Sequence, residues 1–438
     1  MAAGGPYVLT VSDGETTLSF ADILIGDVFF AGGQSNMEMR IKDTENGADY
    51  IAAADFPTIR FIIFPVQAFL DEETVANEHK TKWQTVKPGE CGEISAVAYH
   101  FAVRLQSSVH VPVGIINCYL GGTSITCWLD EEALCATSGG KAYYEAYQER
   151  IKNQTDEQYL AVYHEQLRAH TIWSRKADAM LAKDPTVLWD DFIRELGPCP
   201  WPPPEGRKAM FRPCGLAETM LKRIAPYSIT GFLYYQGESD VRHPHLYRSL
   251  MRSLIAFWRG LFWDLSLPFL FVQLAMFTQG EEPVKDSWAV IRQCQEQACR
   301  ELRNTGLAVM IDGGEKYDIH PKDKKTVGER LYLQAMQVIY HQDMNGDSPR
   351  AVAARPEENT MIVNVSAPLQ HVKTPRLFEV AGEDGVFYPA EAEILGSVIR
   401  VASAKAVRPS SVRYAWVNYG LVNVFGENGL PLAPFILR

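Results

Sequence analysis

No uninterrupted apolar run in this 438-residue chain approaches the ~18 residues that span a bilayer. The start, Met1-Ala2-Ala3-Gly4-Gly5-Pro6, has neither a basic segment nor an apolar core. No signal peptide is read there, and a cytoplasmic location is expected, with secretion or periplasmic export the alternative if this start is trimmed. Basic residues are in deficit: the formal net charge of −11 argues against a nucleic-acid partner. The eight cysteines include no Cys-x-x-Cys pair and are scattered, so they read as reduced thiols, not a disulfide framework or zinc site. His243-Pro244-His245 has no third ligand at a sensible spacing, and no metal is expected. A Gly-rich phosphate loop with Lys-Ser/Thr and a dinucleotide fingerprint are both missing, so no cofactor is expected. Also missing is the Gly-x-Ser-x-Gly elbow, because Met37 stands where its last glycine would be. There are no internal repeats and no low-complexity tract. What remains, 47% hydrophobic and 22% charged, is the composition of a soluble globular protein long enough for two or three domains.

Within that frame, apolar runs alternate with helical spacing. Runs at 23–30, 113–119, 228–235, 269–274 and 307–311 read as buried strands. Segments 96–105, 216–224, 246–262, 291–302 and 324–340 have helical periodicity. Strands and helices in that order predict βαβ units, a parallel sheet covered on both faces, and an α/β domain over about 21–345. Two stretches interrupt the pattern: a helical insertion at 141–182, and a Pro-rich loop at 196–215 too stiff for helix or inner strand. From 346 to 438 short strand-like runs separated by Gly, Asn and Pro predict a β-sandwich. The opening strand-like residues, 1–20, are expected to pack with that layer.

Chemistry-bearing residues follow the predicted strands. After the first comes Gly32-Gly33-Gln34-Ser35-Asn36, and after 113–119 comes Leu120-Gly121-Gly122-Thr123-Ser124. After 228–235 comes Gln236-Gly237-Glu238-Ser239-Asp240, and after 307–311 comes Asp312-Gly313-Gly314 with Tyr317-Asp318-Ile319-His320-Pro321 beyond. The carboxyl ends of parallel strands share one edge, so these loops are expected to meet in one crevice. Acyl transfer needs a nucleophile, a base, a group that holds the base, and donors for the oxyanion. Ser35 fits the first role, His320 the second and Asp318 the third, with Glu238 as the rival acid. Ser35 and Gly122 can offer backbone N–H groups, and Gln236 a side-chain amide, as the oxyanion hole. Asn36, Trp128, Trp201 and Tyr235 are candidate substrate contacts, the aromatic ones through their ring faces. For each residue a plainer part exists: a helix cap, a turn carboxylate, a strand-edge brace, a core aromatic.

Gly33-Gln34-Ser35-Asn36-Met37-Glu38-Met39, Gly121-Gly122-Thr123 with Trp128, Gln236-Gly237-Glu238-Ser239-Asp240 and Asp318-Ile319-His320-Pro321 resemble the blocks of the sialate O-acetylesterase family, a group of SGNH-type hydrolases. The ending is similar too, in Phe378-Glu379-Val380-Ala381-Gly382-Glu383-Asp384-Gly385, Val412-Arg413-Tyr414-Ala415-Trp416 and Gly429-Leu430-Pro431. The resemblance implies a flavodoxin-like α/β/α domain with a terminal β-sandwich. It also implies a metal-free serine esterase acting on acetylated carbohydrates, with Ser35, Asp318 and His320 as a triad and Gly122 and Gln236 in the oxyanion hole. The sequence departs from many SGNH hydrolases in placing Asp318 two residues before His320, not three. The alternatives are an acetylxylan or other plant-polysaccharide acetylesterase, a related phospholipase or thioesterase, and a carbohydrate-binding protein on a hydrolase scaffold.

Overall fold

A computed structural model describes residues 2–69, 72–184, 187, 189–278 and 284–438, with 72–74, 189 and 190 described in backbone only. The apolar run at 23–30 is divided between two strands. Residues β1 (Gly4–Ser12) and β2 (Thr17–Ile25) form an antiparallel hairpin, and β3 (Asp27–Gly33) starts after Gly26. A Cβ on Gly26 would lie 1.9 Å from the Pro112 carbonyl oxygen, so only glycine fits at that pivot. The hairpin is a sheet of its own, hydrogen-bonded to no strand of 346–438.

The remaining strands of the central sheet are β4 (Phe56–Ile63), β5 (Gln84–Val86), β6 (Val113–Tyr119), β7 (Gly231–Tyr235), β8 (Phe269–Val272) and β9 (Thr305–Ala308). Their order is β5-β4-β6-β3-β7-β8-β9, all neighbours parallel except the edge pair β4 and β5. Pro57 and Arg60 interrupt the apolar pattern of β4, which therefore has no counterpart among the sequence-predicted strands. The chain's first parallel strand, β3, lies between β6 on one side and β7 on the other. That is the switch point at which α/β sheets open a crevice. Register sharpens it, since Gly33 stands level with both Tyr119 and Tyr235, and three loops leave the sheet at one height.

Alternation along β3 sends successive side chains to opposite faces. Phe29 meets Phe101 edge-on, and Phe30 meets Trp258 edge-on, with all four buried. Helix α1 is Ser35–Glu38, α2 Ala96–Val109, α3 Ser138–Ile151, α4 Asp156–Lys183, α5 Pro244–Leu261, α6 Ser287–Glu301 and α7 Lys325–Val338. The contacts pair α2 with α7 and α5 with α6, giving the α/β/α layers. Beyond them, β10 (Ala351–Glu357), β11 (Thr360–Val365), β12 (Phe378–Ala381), β13 (Phe387–Pro389), β14 (Glu391–Leu395), β15 (Val398–Ala402), β16 (Ser411–Tyr414) and β17 (Phe435–Leu437) make two four-stranded antiparallel sheets. These sheets touch through β12 against β14 and β15, and β10 against β17. No helix among the described residues is long and apolar enough to cross a membrane.

Candidate active site

Gly33 has φ +138°, and a Cβ there would lie 2.1 Å from the Tyr235 carbonyl oxygen. Glycine thus lets the chain leave β3 while pressed against β7. Gln34 then donates its N–H to Tyr235 O at 3.0 Å, and the chain coils at once into α1. Ser35, its first residue, is half-buried, while its neighbours Gln34 and Asn36 are buried. Its N–H belongs to a first helical turn, where amides have no acceptor within the helix.

His320 arrives from far away in the sheet. Strand β9 is the third neighbour of β3, and residues 309–324 run back over the intervening strand ends. Two anchors guide them. Arg330 of α7 grips Asp312 with two bonds of 2.6 Å and also donates to Val309 O, and Gly314 lies so close to Met276 that a Cβ would stand 2.1 Å from its carbonyl oxygen. Beyond them His320 Nε2 comes to 2.8 Å from Ser35 Oγ. Burial holds the imidazole pKa below its ordinary value; the Asp318 charge opposes this, and Lys324 and Lys322 reinforce it. The ring is therefore neutral near pH 7, the form that accepts a proton.

Asp318 does not bond the ring. Its Oδ1 accepts the main-chain N–H of His320 at 2.8 Å, which corrects the expectation that it fixes the tautomer directly. Glu238, the rival acid, is also turned elsewhere: Oε1 accepts from Asn36 Nδ2 at 2.6 Å, and Oε2 is buried with no hydrogen-bond partner among the described residues.

In the loop after β6, Gly121 donates its N–H to the Glu38 carboxylate, and a Cβ there would come 3.2 Å from Ser35 Cβ. Gly122, at φ +74°, comes next. Its N–H has no acceptor among the hydrogen bonds of the described residues, so it is free for a substrate oxygen. Gln236 is not. Its amide is wholly buried and donates to Thr123 O at 3.0 Å, Gln34 Oε1 at 3.1 Å and Asp240. Asp240 also accepts from Ser124 Oγ and from Ile125 N–H. Gln236 therefore braces the glycine loop, a correction to its expected place in the oxyanion hole.

Packing removes other expected substrate contacts. Trp128 is fully enclosed, with Nε1 on Thr123 Oγ1 at 3.0 Å, and Tyr235 is 1% exposed. Asn36 is enclosed as well, its amide engaged with Glu238, Ile319 O and Lys324. Trp201 is different. Its half-exposed ring lies over Gly122, where a Cβ would come within 2.7 Å of it, and Phe211 meets it edge-on at 5.2 Å. The Pro-rich loop is held there by the insertion: Tyr147 of α3 bonds Gly206 O at 2.9 Å, and Trp173 of α4 bonds Gly197 O at 3.0 Å. Glu38, Asp240 and Lys324 went unrecognised in the sequence. Lys324 sits in a run of charges that reads as a solvated turn, and no local signal marks it as buried.

A family profile described as "Carbohydrate esterase, sialic acid-specific acetylesterase" matches residues 213–336. The sialate O-acetylesterase of Rattus norvegicus is 25% identical, over 100% of this chain and 83% of that protein. The mouse protein of that name is 24% identical over the same shares. The crystal structure of a carbohydrate acetylesterase from Xanthomonas citri superposes with a TM-score of 0.75 at 28% identity, over 100% of this chain and 86% of that one. Sheet, strand-end loops and relatives agree on the class, a carboxylic ester hydrolase built on an α/β/α domain. Within that class the chain is similar to the sialate O-acetylesterases, which are carbohydrate esterases.

Proposed function

We propose that this esterase removes O-acetyl groups from carbohydrates through an acyl-enzyme on Ser35, with O-acetyl sialic acid as its substrate. The observation that carries the reading is the 2.8 Å contact between Ser35 Oγ and His320 Nε2 at the switch point of the sheet. Ser35 Oγ attacks the acetyl carbonyl carbon while its proton passes to Nε2. The oxyanion faces the N–H groups of Ser35 and Gly122. As the intermediate collapses, the carbon–oxygen bond to the sugar breaks, and the sugar oxygen takes the proton back from Nε2. Water then attacks the acyl carbon, gives its proton to His320, and acetate leaves as Ser35 regains that proton. Asp318 supports the imidazolium by charge and holds the loop through the His320 amide. The exposed Trp201 ring offers a face for a sugar beside Gly122.

Acetate release from a panel of acetylated sugars, with Ser35→Ala and His320→Ala alongside, tests this. Either substitution should lower kcat by on the order of a millionfold. Retained turnover in Ser35→Ala would refute the acyl-enzyme. Release from acetylated xylan but not from O-acetyl sialic acid would keep the mechanism and replace the substrate.

A further inference from the structure

Behind the Ser35–His320 pair lies a buried polar chain that the reaction steps leave unused. Asn36, Glu238 and Lys324 are 2%, 6% and 1% exposed. Lys324 Nζ donates to Asn36 Oδ1 at 2.7 Å, and Asn36 Nδ2 donates to Glu238 Oε1 at 2.6 Å. Two further bonds leave this chain, both for the backbone beside the imidazole. Asn36 Nδ2 reaches Ile319 O at 2.9 Å, and Lys324 Nζ reaches Pro321 O at 2.7 Å. Ile319 and Pro321 flank His320 on either side, and Asn36 is the neighbour of Ser35. The residue after the hydroxyl therefore grips the carbonyl before the imidazole, and the ammonium grips the one after it.

That connection has a mechanical purpose. Residues 315–324 carry neither helix nor strand and come from the far edge of the sheet, so no ladder fixes their distance from α1. A buried ammonium would be costly alone, and Glu238 is the carboxylate that offsets it. We propose that Asn36 and Lys324, with Glu238 as their buried counter-charge, are positioning residues that hold the His320 loop within reach of Ser35. The proposal rests on the esterase reading above and adds these residues to the same site.

The charge of Lys324 has a second consequence. Facing His320 are Asp318, Lys322 and Lys324 of its own segment and Ser35 from α1; Glu238 and the Tyr235 ring approach Lys324 from the β7 side. Burial moves Lys324 down to about 8, so it remains mostly charged at pH 7, where it disfavours the imidazolium. Lys324→Met removes that cation, and the acid limb of kcat/KM moves to higher pH. Asn36→Ala breaks the same clamp with the cation retained, so its acid limb stays near that of the wild type.

The test uses 4-nitrophenyl acetate turnover across pH, thermal melts and the imidazole titration of His320 followed by NMR, in wild type, Ser35→Ala, Asn36→Ala and Lys324→Met. Misplacing a catalytic group by about 1 Å costs on the order of 100-fold in rate. Both clamp variants should lose about that much kcat at nearly constant KM, and only Lys324→Met should raise the His320 pKa. A folded Asn36→Ala with wild-type kcat overturns the clamp, and serves as the deciding variant if Lys324→Met does not fold. A loss in melting temperature alone, with kcat and titration unchanged, would leave only a structural role and overturn it too. Failure of the esterase reading is seen separately, as turnover in Ser35→Ala equal to that of the wild type, whereas failure of the clamp alone is seen as wild-type kcat in Asn36→Ala while Ser35→Ala is inactive.

Discussion

Asp318 uses Oδ1 on the main-chain N–H of His320, so its carboxylate reaches the imidazole by charge and not by a ring hydrogen bond. Two substitutions separate these contributions. Asp318→Asn keeps an acceptor for the amide and removes the charge that favours the imidazolium. The His320 pKa should fall further, and the acid limb of kcat/KM should move to lower pH. Losing general-base support of this indirect kind belongs in the range of about 100-fold in kcat, well short of the loss in His320→Ala. Asp318→Ala removes both contributions and should be slower still. Equal losses in Asp318→Asn and His320→Ala would mean that the carboxylate bonds the ring when substrate is bound. The two-residue spacing between Asp318 and His320 was visible in the sequence; which atom of His320 the carboxylate would meet was not, because that is set by the fold of the loop.

At the scale of elements, β3 and its neighbours decide where the site stands, and this part was readable. Glycines after apolar runs marked the ends of β3 and β6, and Gln236 marked the end of β7. What sequence could not give is lateral order and burial. Trp128 and Tyr235 look like sugar platforms until Thr123 and the packed strands enclose them, and Gln236 looks like a free amide until Gln34 and Asp240 claim it. The return of residues 309–324 from β9 to β3 also depends on long-range anchors such as Arg330 on Asp312, which no local pattern announces. Gly33 is the position where element geometry is most exacting. A side chain there would need φ +138° and would press on the Tyr235 carbonyl at 2.1 Å. Gly33→Ala should lower stability by at least about 2 kcal/mol, from strain together with a forced separation of β3 and β7. Urea unfolding would register this as a lower midpoint. An unchanged midpoint would show that the turn has another conformation available.

For the whole molecule, acid should act through two histidines at two different levels. Under the proposed mechanism His320 should govern turnover, because its protonation removes the base while the fold persists. His100 governs the fold. It lies in α2, 7% exposed, with Tyr50 edge-on at 4.6 Å, and a Cβ on Gly328 of α7 would be only 2.7 Å from its Cβ. Burial at this helix contact lowers its pKa to about 4; Lys325 adds to the shift and Asp323 opposes it. In the unfolded chain the ring titrates near its ordinary value of about 6.5. Between these two values the unfolded state binds a proton that the folded state refuses, so stability falls as pH drops through that window. A shift of that size corresponds to as much as about 3 kcal/mol. His100→Leu removes the titration, and its urea midpoint should decline less than the wild-type midpoint from pH 6.5 to 4.5. Because His100 lies outside the Ser35–His320 pair, the same substitution should leave the acid limb of kcat/KM in place. If the two midpoints instead fall in parallel, the acid sensitivity of the fold resides in other groups. If the acid limb shifts with them, loss of turnover and loss of structure are one event.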